Sequence, residues 1–213
     1  WVAVVDLAFL PIAAALMLRV LIKAKSKRNY FVGMLPVMLA LANLLFHLAV
    51  LEVIAFDPLM AMHLALGLII VLESVIGGRV IPMFTANAVR NIKQWRKAWV
   101  DWAAVILTGV ALLLWAVAAG DWAAPVSIAA ALAQALRVGG WNPWATRKTP
   151  LVWILHLSYM WIPIGLALIA LAQLGVLPRT GGVHALAIGA TGGLIIGMMT
   201  RTALGHTGRM LMA

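Results

Sequence analysis

The sequence consists of seven long apolar runs separated by short connectors that carry most of its charged residues. A helix needs about 20 apolar residues to cross a bilayer, so each run predicts one transmembrane helix. The third helix is expected to end where Gly77, Gly78 and Pro82 interrupt it. The predicted helices are Val2–Ile22, Phe31–Phe56, Met60–Ile76, Val100–Ala119, Trp122–Leu136, Leu151–Leu174 and Val183–Thr200. We therefore predict an all-α fold, a polytopic transmembrane helix bundle forming a single domain over residues 1–213.

Composition agrees with this class and excludes several kinds of site. Hydrophobic residues make up 65% of the chain and charged residues only 10%, whereas soluble domains have about 25% charged residues. The chain contains no cysteine, which excludes disulfides, cysteine-held iron–sulfur clusters, thiolate metal sites and cysteine nucleophiles. A metal ion would therefore need histidine, carboxylate or thioether ligands.

Both ends of the sequence lie in apolar segments. The chain opens at Trp1 inside the first run and closes on Met210 to Ala213, which looks like the beginning of another apolar segment. We therefore expect a fragment of a longer membrane protein. Its expected partners are the lipid bilayer, the missing helices of the same protein or other subunits, and no nucleic acid.

Lysine and arginine alternate from one connector to the next. The first, third and fifth connectors carry four, five and three of them, the second and fourth carry none, and the sixth carries one. Cytoplasmic loops are enriched in these residues, so the first residue is predicted outside and the last in the cytoplasm. The same distribution explains the net charge of +10 without a polyanionic partner. An interfacial belt is predicted from Trp1, Trp95, Trp99, Trp122, Trp141, Trp144 and Trp153.

The predicted topology sorts the five histidines into two groups by depth. His47, His63 and His184 fall in the outer part of the membrane, whereas His156 and His206 fall on the cytoplasmic side. Facing histidines at one depth are typical of haem iron or copper sites in helix bundles. The alternative is that each histidine only forms a hydrogen bond between helices. For the group as a whole, we favour metal binding.

Several other polar or small residues have a structural interpretation, a functional one or both. Arg79 fits either the C-terminal dipole of the third helix or a guanidinium clamp on a propionate. Glu73 lies inside an apolar run, and proton transfer or orientation of a ligand is its functional reading. For Tyr159 we favour packing with a satisfied hydroxyl. Helix packing is also favoured over a planar cofactor for the small residues at spacing four in the last helix, Ala185, Gly189, Gly193 and Gly197.

Two strings carry a resemblance to a known family. GGRVIPMFT, from Gly77 to Thr85, and GMMTRTALGHTGR, from Gly197 to Arg209, resemble the C-terminal portion of the NnrS family, as does a histidine opening the glycine-rich helix. The resemblance implies a haem- and copper-containing multi-pass protein of the bacterial inner membrane, linked to denitrification and tolerance of nitric oxide. The family motif positions are His63, Arg79, His184, His206 and Arg209, with weaker matches at His47 and His156.

The leading hypothesis is a haem-binding bundle in which His63 and His184 form the axial pair and His47 is a further ligand or a copper ligand. Arg79 and Arg209 would contact the cofactor. The inner group, which comprises Glu73, Arg79, His156 and His206, would form a second metal site or a path for protons and anions. A metal-dependent redox reaction of nitric oxide or a metal nitrosyl would follow. The alternatives are a permease-like transporter and a structural or assembly subunit of a membrane complex.

Overall fold

The computed structural model describes residues 2–26, 30–118 and 120–207. Within these ranges every regular element is a helix, and seven helices are long and apolar enough to cross a membrane. The predicted fold class and helix number are therefore confirmed. The elements are α1 (Val2–Lys23), α2 (Tyr30–Val50), α3 (Pro58–Ala88), α4 (Ala98–Ala116), α5 (Ala123–Gly140), α6 (Pro150–Gln173), α7 (Thr180–His184), a π-helical segment (Ala185–Gly192) and α8 (Gly193–His206). The last three elements form the seventh membrane-spanning helix.

The described chain has two compact units, residues 1–72 and residues 73–213, and the boundary between them lies within α3. In the first unit α1 packs against α2. The contact is close at Gly33, where a Cβ atom would lie 2.7 Å from Leu18 Cδ2. A small residue at this position lets the two helix backbones approach each other.

In the second unit, α6 is the central helix. It packs against α4, α5, α7, the π-helical segment and α8. Its buried side chains include Leu155, Ile162 and Leu166, each fully shielded. On the neighbouring pair α4 and α5, Ala104 and Ala130 are also fully buried, and small side chains at such contacts allow tight helix packing.

The prediction that the third helix ends at Ile76 is wrong, because α3 continues to Ala88. Pro82 has no N–H to donate to the carbonyl of Gly78, four residues earlier. Arg96 Nη2 donates to that carbonyl instead, at 3.1 Å. The carbonyl of Pro82 in turn accepts a hydrogen bond from Gln94 Nε2 at 3.0 Å. Arg96 of the connector after α3 therefore supplies the hydrogen bond that Pro82 removes from the helix, and Gln94 adds a further one.

The second helix is shorter than predicted, ending at Val50 instead of Phe56. Glu52 adopts a left-handed conformation with φ of 57°. Its N–H bonds to the carbonyl of Ala49, and the N–H of Val53 bonds to the carbonyl of Leu48. This pair of hydrogen bonds is the Schellman motif, which terminates helices.

The fifth and seventh helices are longer than predicted. The fifth, α5, extends to Gly140, so Arg137 is a buried helical residue and its assignment to the connector was wrong. Trp141, which follows α5, is only 1% exposed and does not belong to an interfacial belt. The seventh membrane-spanning helix begins at Thr180, contains a π-helical stretch and continues to His206.

Candidate functional site

A cluster of buried polar side chains, here called the Arg137 cluster, joins four helices of the second unit. Its members are Ser74, Asp101, Thr108, Gln134, Arg137 and Tyr159. Arg137 is 5% exposed, and its Nε donates to Asp101 Oδ1 at 2.6 Å. Its Nη1 donates to the Ser74 carbonyl at 2.7 Å and to the Tyr159 hydroxyl at 3.0 Å. The charge is thus paired and hydrogen-bonded, as burial requires.

Gln134 completes the same cluster from one turn earlier on α5. Its Nε2 donates to Ser74 Oγ at 2.7 Å and to Thr108 Oγ1 at 2.9 Å. The hydroxyl of Tyr159 donates to Gln134 Oε1 at 2.9 Å. Tyr159 is fully buried with a satisfied hydroxyl, so its predicted packing role is confirmed.

The two glycines of α3 allow the cluster to form. A Cβ at Gly78 would lie 2.0 Å from Arg137 Nη2, and a Cβ at Gly77 would lie 2.8 Å from the Tyr159 ring. The Arg137 guanidinium also lies over the Trp141 ring, 5.6 Å from its centroid. The glycine pair therefore serves close packing against α5 and α6. The hydrogen bonds described for the cluster connect its members to one another and hold the four helices together.

His156 on α6 forms a separate buried pair with Thr85 on α3. The distance from Thr85 Oγ1 to His156 Nε2 is 2.8 Å, and Thr85 Oγ1 also lies 2.8 Å from the Ile81 carbonyl. Because the carbonyl only accepts, the threonine donates to it and the histidine N–H donates to the threonine oxygen. In this arrangement Nδ1 of His156 carries a lone pair, and it has no hydrogen-bond partner among the described residues.

In the first unit, His47 on α2 is oriented by Asp6 on α1. His47 Nε2 lies 2.9 Å from Asp6 Oδ2, and Asn43 Nδ2 donates to the same oxygen at 2.8 Å. An ionised carboxylate only accepts hydrogen bonds, so the proton of the neutral imidazole is on Nε2 and the lone pair is on Nδ1. A carboxylate behind the ring is a common second partner of a metal-binding histidine.

His184 is exposed at the end of α7. Its Nδ1 lies 2.8 Å from the backbone carbonyl of Thr180. The carbonyl fixes the proton on Nδ1, which leaves the lone pair on Nε2 of the neutral ring. A backbone carbonyl in this position is the other usual second partner of a metal-binding histidine.

The remaining predicted site residues have less defined surroundings. His63 is half-buried in the second turn of α3, and Arg79 is exposed in the second half of that helix. Glu73 is half-buried, and its Oε2 has no hydrogen-bond partner among the described residues. His206 ends α8, whereas Arg209 lies outside the described residues.

The described part of the chain contains no group of three or more histidine, aspartate or glutamate side chains arranged to hold a metal ion. Of the three histidines with oriented rings, His47 belongs to the first unit, whereas His156 and His184 belong to the second. That His47, His63 and His184 bind one metal or cofactor together stays a prediction.

The small-residue face of the last helix packs against α6. A Cβ added at Gly189, Gly193 or Gly197 would lie 2.5–2.9 Å from a side chain of α6. Ala185 is buried on the same side. The packing interpretation is therefore confirmed.

Arg137, Asp101 and Gln134 were not among the predicted site residues. Gln134 and Arg137 are three positions apart, so they share one face of a helix, and Asp101 opens the preceding helix. Consecutive antiparallel helices place the end of one beside the start of the other. The position of Asp101 at the start of one helix and of Arg137 at the end of the next could therefore have predicted their ion pair.

A protein-family model described as NnrS protein matches residues 1–213, which is the whole chain. No curated protein and no solved structure matches the chain. The family match thus extends over both units and all seven membrane-spanning helices.

Proposed function

The chain belongs to the NnrS family of nitric-oxide-related membrane proteins, and from this we propose that it binds haem and copper in a bacterial inner membrane. There it handles nitric oxide in denitrification and nitrosative stress. Haem iron, when bound, supplies a metal centre that takes nitric oxide as a ligand and exchanges an electron. The chain's own contribution is to present oriented imidazoles and to surround them with an apolar medium.

The observation that carries the proposal is the orientation of the His184 ring. Its Nδ1–H···O=C bond to Thr180, 2.8 Å long, directs a lone pair outward on Nε2. A neutral histidine with a free Nε2 could hold haem iron, and the backbone partner fixes the ring without occupying the ligating atom. We therefore propose His184 as a haem ligand, and His63 in the same role.

The second supporting feature is the Asp6 and His47 pair. The carboxylate holds the imidazole by Nε2 and leaves Nδ1 as the atom that can bind a metal. Imidazole suits copper as well as iron, so we propose His47 as a copper or further haem ligand. His156 and His206 are proposed as additional metal residues, and Arg79 and Arg209 as partners of the haem propionates. Arginine suits carboxylates because its planar fork bonds them in a bidentate way.

The deciding experiment is an absorption spectrum of the full chain purified in detergent, together with its iron and copper content. We expect a Soret band that shifts when nitric oxide is added, and stoichiometric metal. His184→Ala should remove most of the band. Ile188→Ala, one turn further along the same helix and 66% exposed, should leave it unchanged.

The outcomes separate the alternative functions. A protein without iron, copper or a Soret band overturns the proposal. Such a protein that also drives substrate-dependent uptake into liposomes is a transporter. If it shows no uptake, and if His63→Ala and His184→Ala leave the cofactor content of a larger complex unchanged, the chain is a structural or assembly subunit.

A further inference from the structure

The second unit contains a cavity of about 490 Å³ between the end of α4, the start of α5 and the end of α6. Gly120 adopts φ of +62° in the connector between α4 and α5, which shapes one wall. Alanine side chains line much of the remainder. Three polar side chains also line the cavity: Asp121, Gln173 and Arg179. None of them belongs to the haem and copper proposal.

Gln173 supplies a hydrogen-bond donor that lacks an acceptor. Its Oε1 lies 3.3 Å from Ser127 Oγ, which also donates to the Ala123 carbonyl at 2.8 Å. Its Nε2 is buried and has no hydrogen-bond partner among the described residues. A buried donor in this state is unfavourable until a ligand supplies an acceptor, so this end of the cavity suits an oxygen-rich group.

Arg179 and Asp121 add one charge of each sign. Both line the cavity, and no ion pair within 4.0 Å involves either of them among the described residues. The guanidinium of Arg179 suits the oxygens of a phosphate, and the carboxylate of Asp121 suits an ammonium group that can donate hydrogen bonds. The combination fits a molecule that carries both groups.

The position of the cavity favours a membrane lipid as that molecule. Its walls come from the last turn of α4, which ends at Ala116, and from the last turn of α6, which ends at Gln173. The ends of membrane-spanning helices lie at the level of the lipid headgroups. Trp115 also lines the cavity, and tryptophan is enriched at this level.

We propose that this cavity binds the headgroup of a phospholipid with a phosphate and a primary ammonium, as in phosphatidylethanolamine. The phosphate lies against Arg179 and Gln173 Nε2, and the ammonium lies against Asp121. The lipid thereby bridges the α4–α5 connector and the start of the last membrane-spanning helix. This site is independent of the metal-binding proposal.

The test is native mass spectrometry of the full chain extracted from vesicles of equal parts phosphatidylethanolamine and phosphatidylcholine. We expect the wild type to retain one phosphatidylethanolamine under increasing detergent. Arg179→Gln should lower that retention at least tenfold. Asp121→Asn should abolish the preference over phosphatidylcholine, because a quaternary ammonium has no N–H to donate. Arg147→Gln and Glu52→Gln, charge removals on other connectors, should behave as the wild type.

Two results would overturn the proposal. One is equal retention of phosphatidylethanolamine by the wild type and Arg179→Gln. The other is retention of phosphatidylcholine as strong as that of phosphatidylethanolamine in the wild type. A third arm adds soluble phosphoethanolamine: if it displaces the lipid completely at equal concentration, the ligand is a free zwitterion and the assignment to a lipid is wrong.

Discussion

Gly78→Ala places a methyl group where the Arg137 guanidinium now lies. The new Cβ would be 2.0 Å from Nη2 and 2.4 Å from Cζ, so the guanidinium must move. Movement breaks its bonds to Asp101 at 2.6 Å, to the Ser74 carbonyl at 2.7 Å and to Tyr159 at 3.0 Å. Leaving a buried charge without its partner costs about 3–5 kcal/mol.

Part of that loss is offset, because alanine favours a helix over glycine by about 1 kcal/mol. We therefore expect a net destabilisation of about 2–4 kcal/mol from these two terms. For a chain of this size 1 kcal/mol shifts the midpoint of thermal unfolding by about 2–4 °C, so Tm should fall by about 4–16 °C. The measurement is thermal unfolding in detergent, followed by intrinsic tryptophan fluorescence.

Gly139→Ala is the matched control. It makes the same change on α5, two residues after Arg137, but a Cβ at Gly139 would have no neighbouring heavy atom within 4 Å. Its Tm should equal or exceed that of the wild type. In an Arg137→Ala background, Gly78→Ala should cause little further loss, since the clashing group is gone. Equal Tm values for Gly78→Ala and Gly139→Ala would show that the guanidinium moves without cost. So would a Gly78→Ala effect that is unchanged when Arg137 is absent.

Three further substitutions test individual contacts. Arg96→Met removes the donor to the α3 carbonyl left free by proline and should destabilise the chain by about 1–3 kcal/mol in thermal unfolding. Thr85→Val leaves His156 Nε2 without its partner inside the second unit, and a loss of about 1–3 kcal/mol is expected in the same assay. Asp6→Ala removes the carboxylate behind His47, and metal titration should show about 10–100-fold weaker binding at that ligand.

Each of these has its own contradicting result. An unchanged Tm for Arg96→Met would mean that water or another group satisfies the carbonyl equally well. A Thr85→Val protein as stable as Thr202→Val, in which an exposed threonine hydroxyl bonds only its own helix, would show that the buried histidine needs no partner. Metal affinity unchanged by Asp6→Ala would remove the structural support for His47 as a ligand.

The number of helices was predictable because the signal is local. An apolar run of sufficient length defines a membrane-spanning helix regardless of what packs against it. The helix ends were less predictable, because their hydrogen bonds depend on distant residues. Arg96 stands 18 positions after the carbonyl of Gly78 that it satisfies. No reading of the Gly-Gly and Pro82 pattern by itself could reveal that the helix continues.

The polar contacts of the site were partly predictable. Asp6 lies near the start of α1 and His47 near the end of α2, which are adjacent in an antiparallel pair. A comparison of their depths could therefore have predicted the contact. Arg137 was misread because it precedes Val138-Gly139-Gly140 and was taken as a connector charge. Its burial depends on Gly78 of another helix, which leaves space for the guanidinium.

The π-helical segment between His184 and Gly193 fixes their relative rotation about the helix axis. In an α-helix each residue advances about 100°, from 3.6 residues per turn. Hydrogen bonds from i to i+5 make wider turns, so each residue of Ala185–Gly192 advances by a smaller angle. The direction of His184 relative to Gly193 therefore differs from the one that a continuous α-helix would give it. Deletion of a single residue from this stretch would rotate His184 about the helix axis, while the packing of α8 against α6 stayed the same.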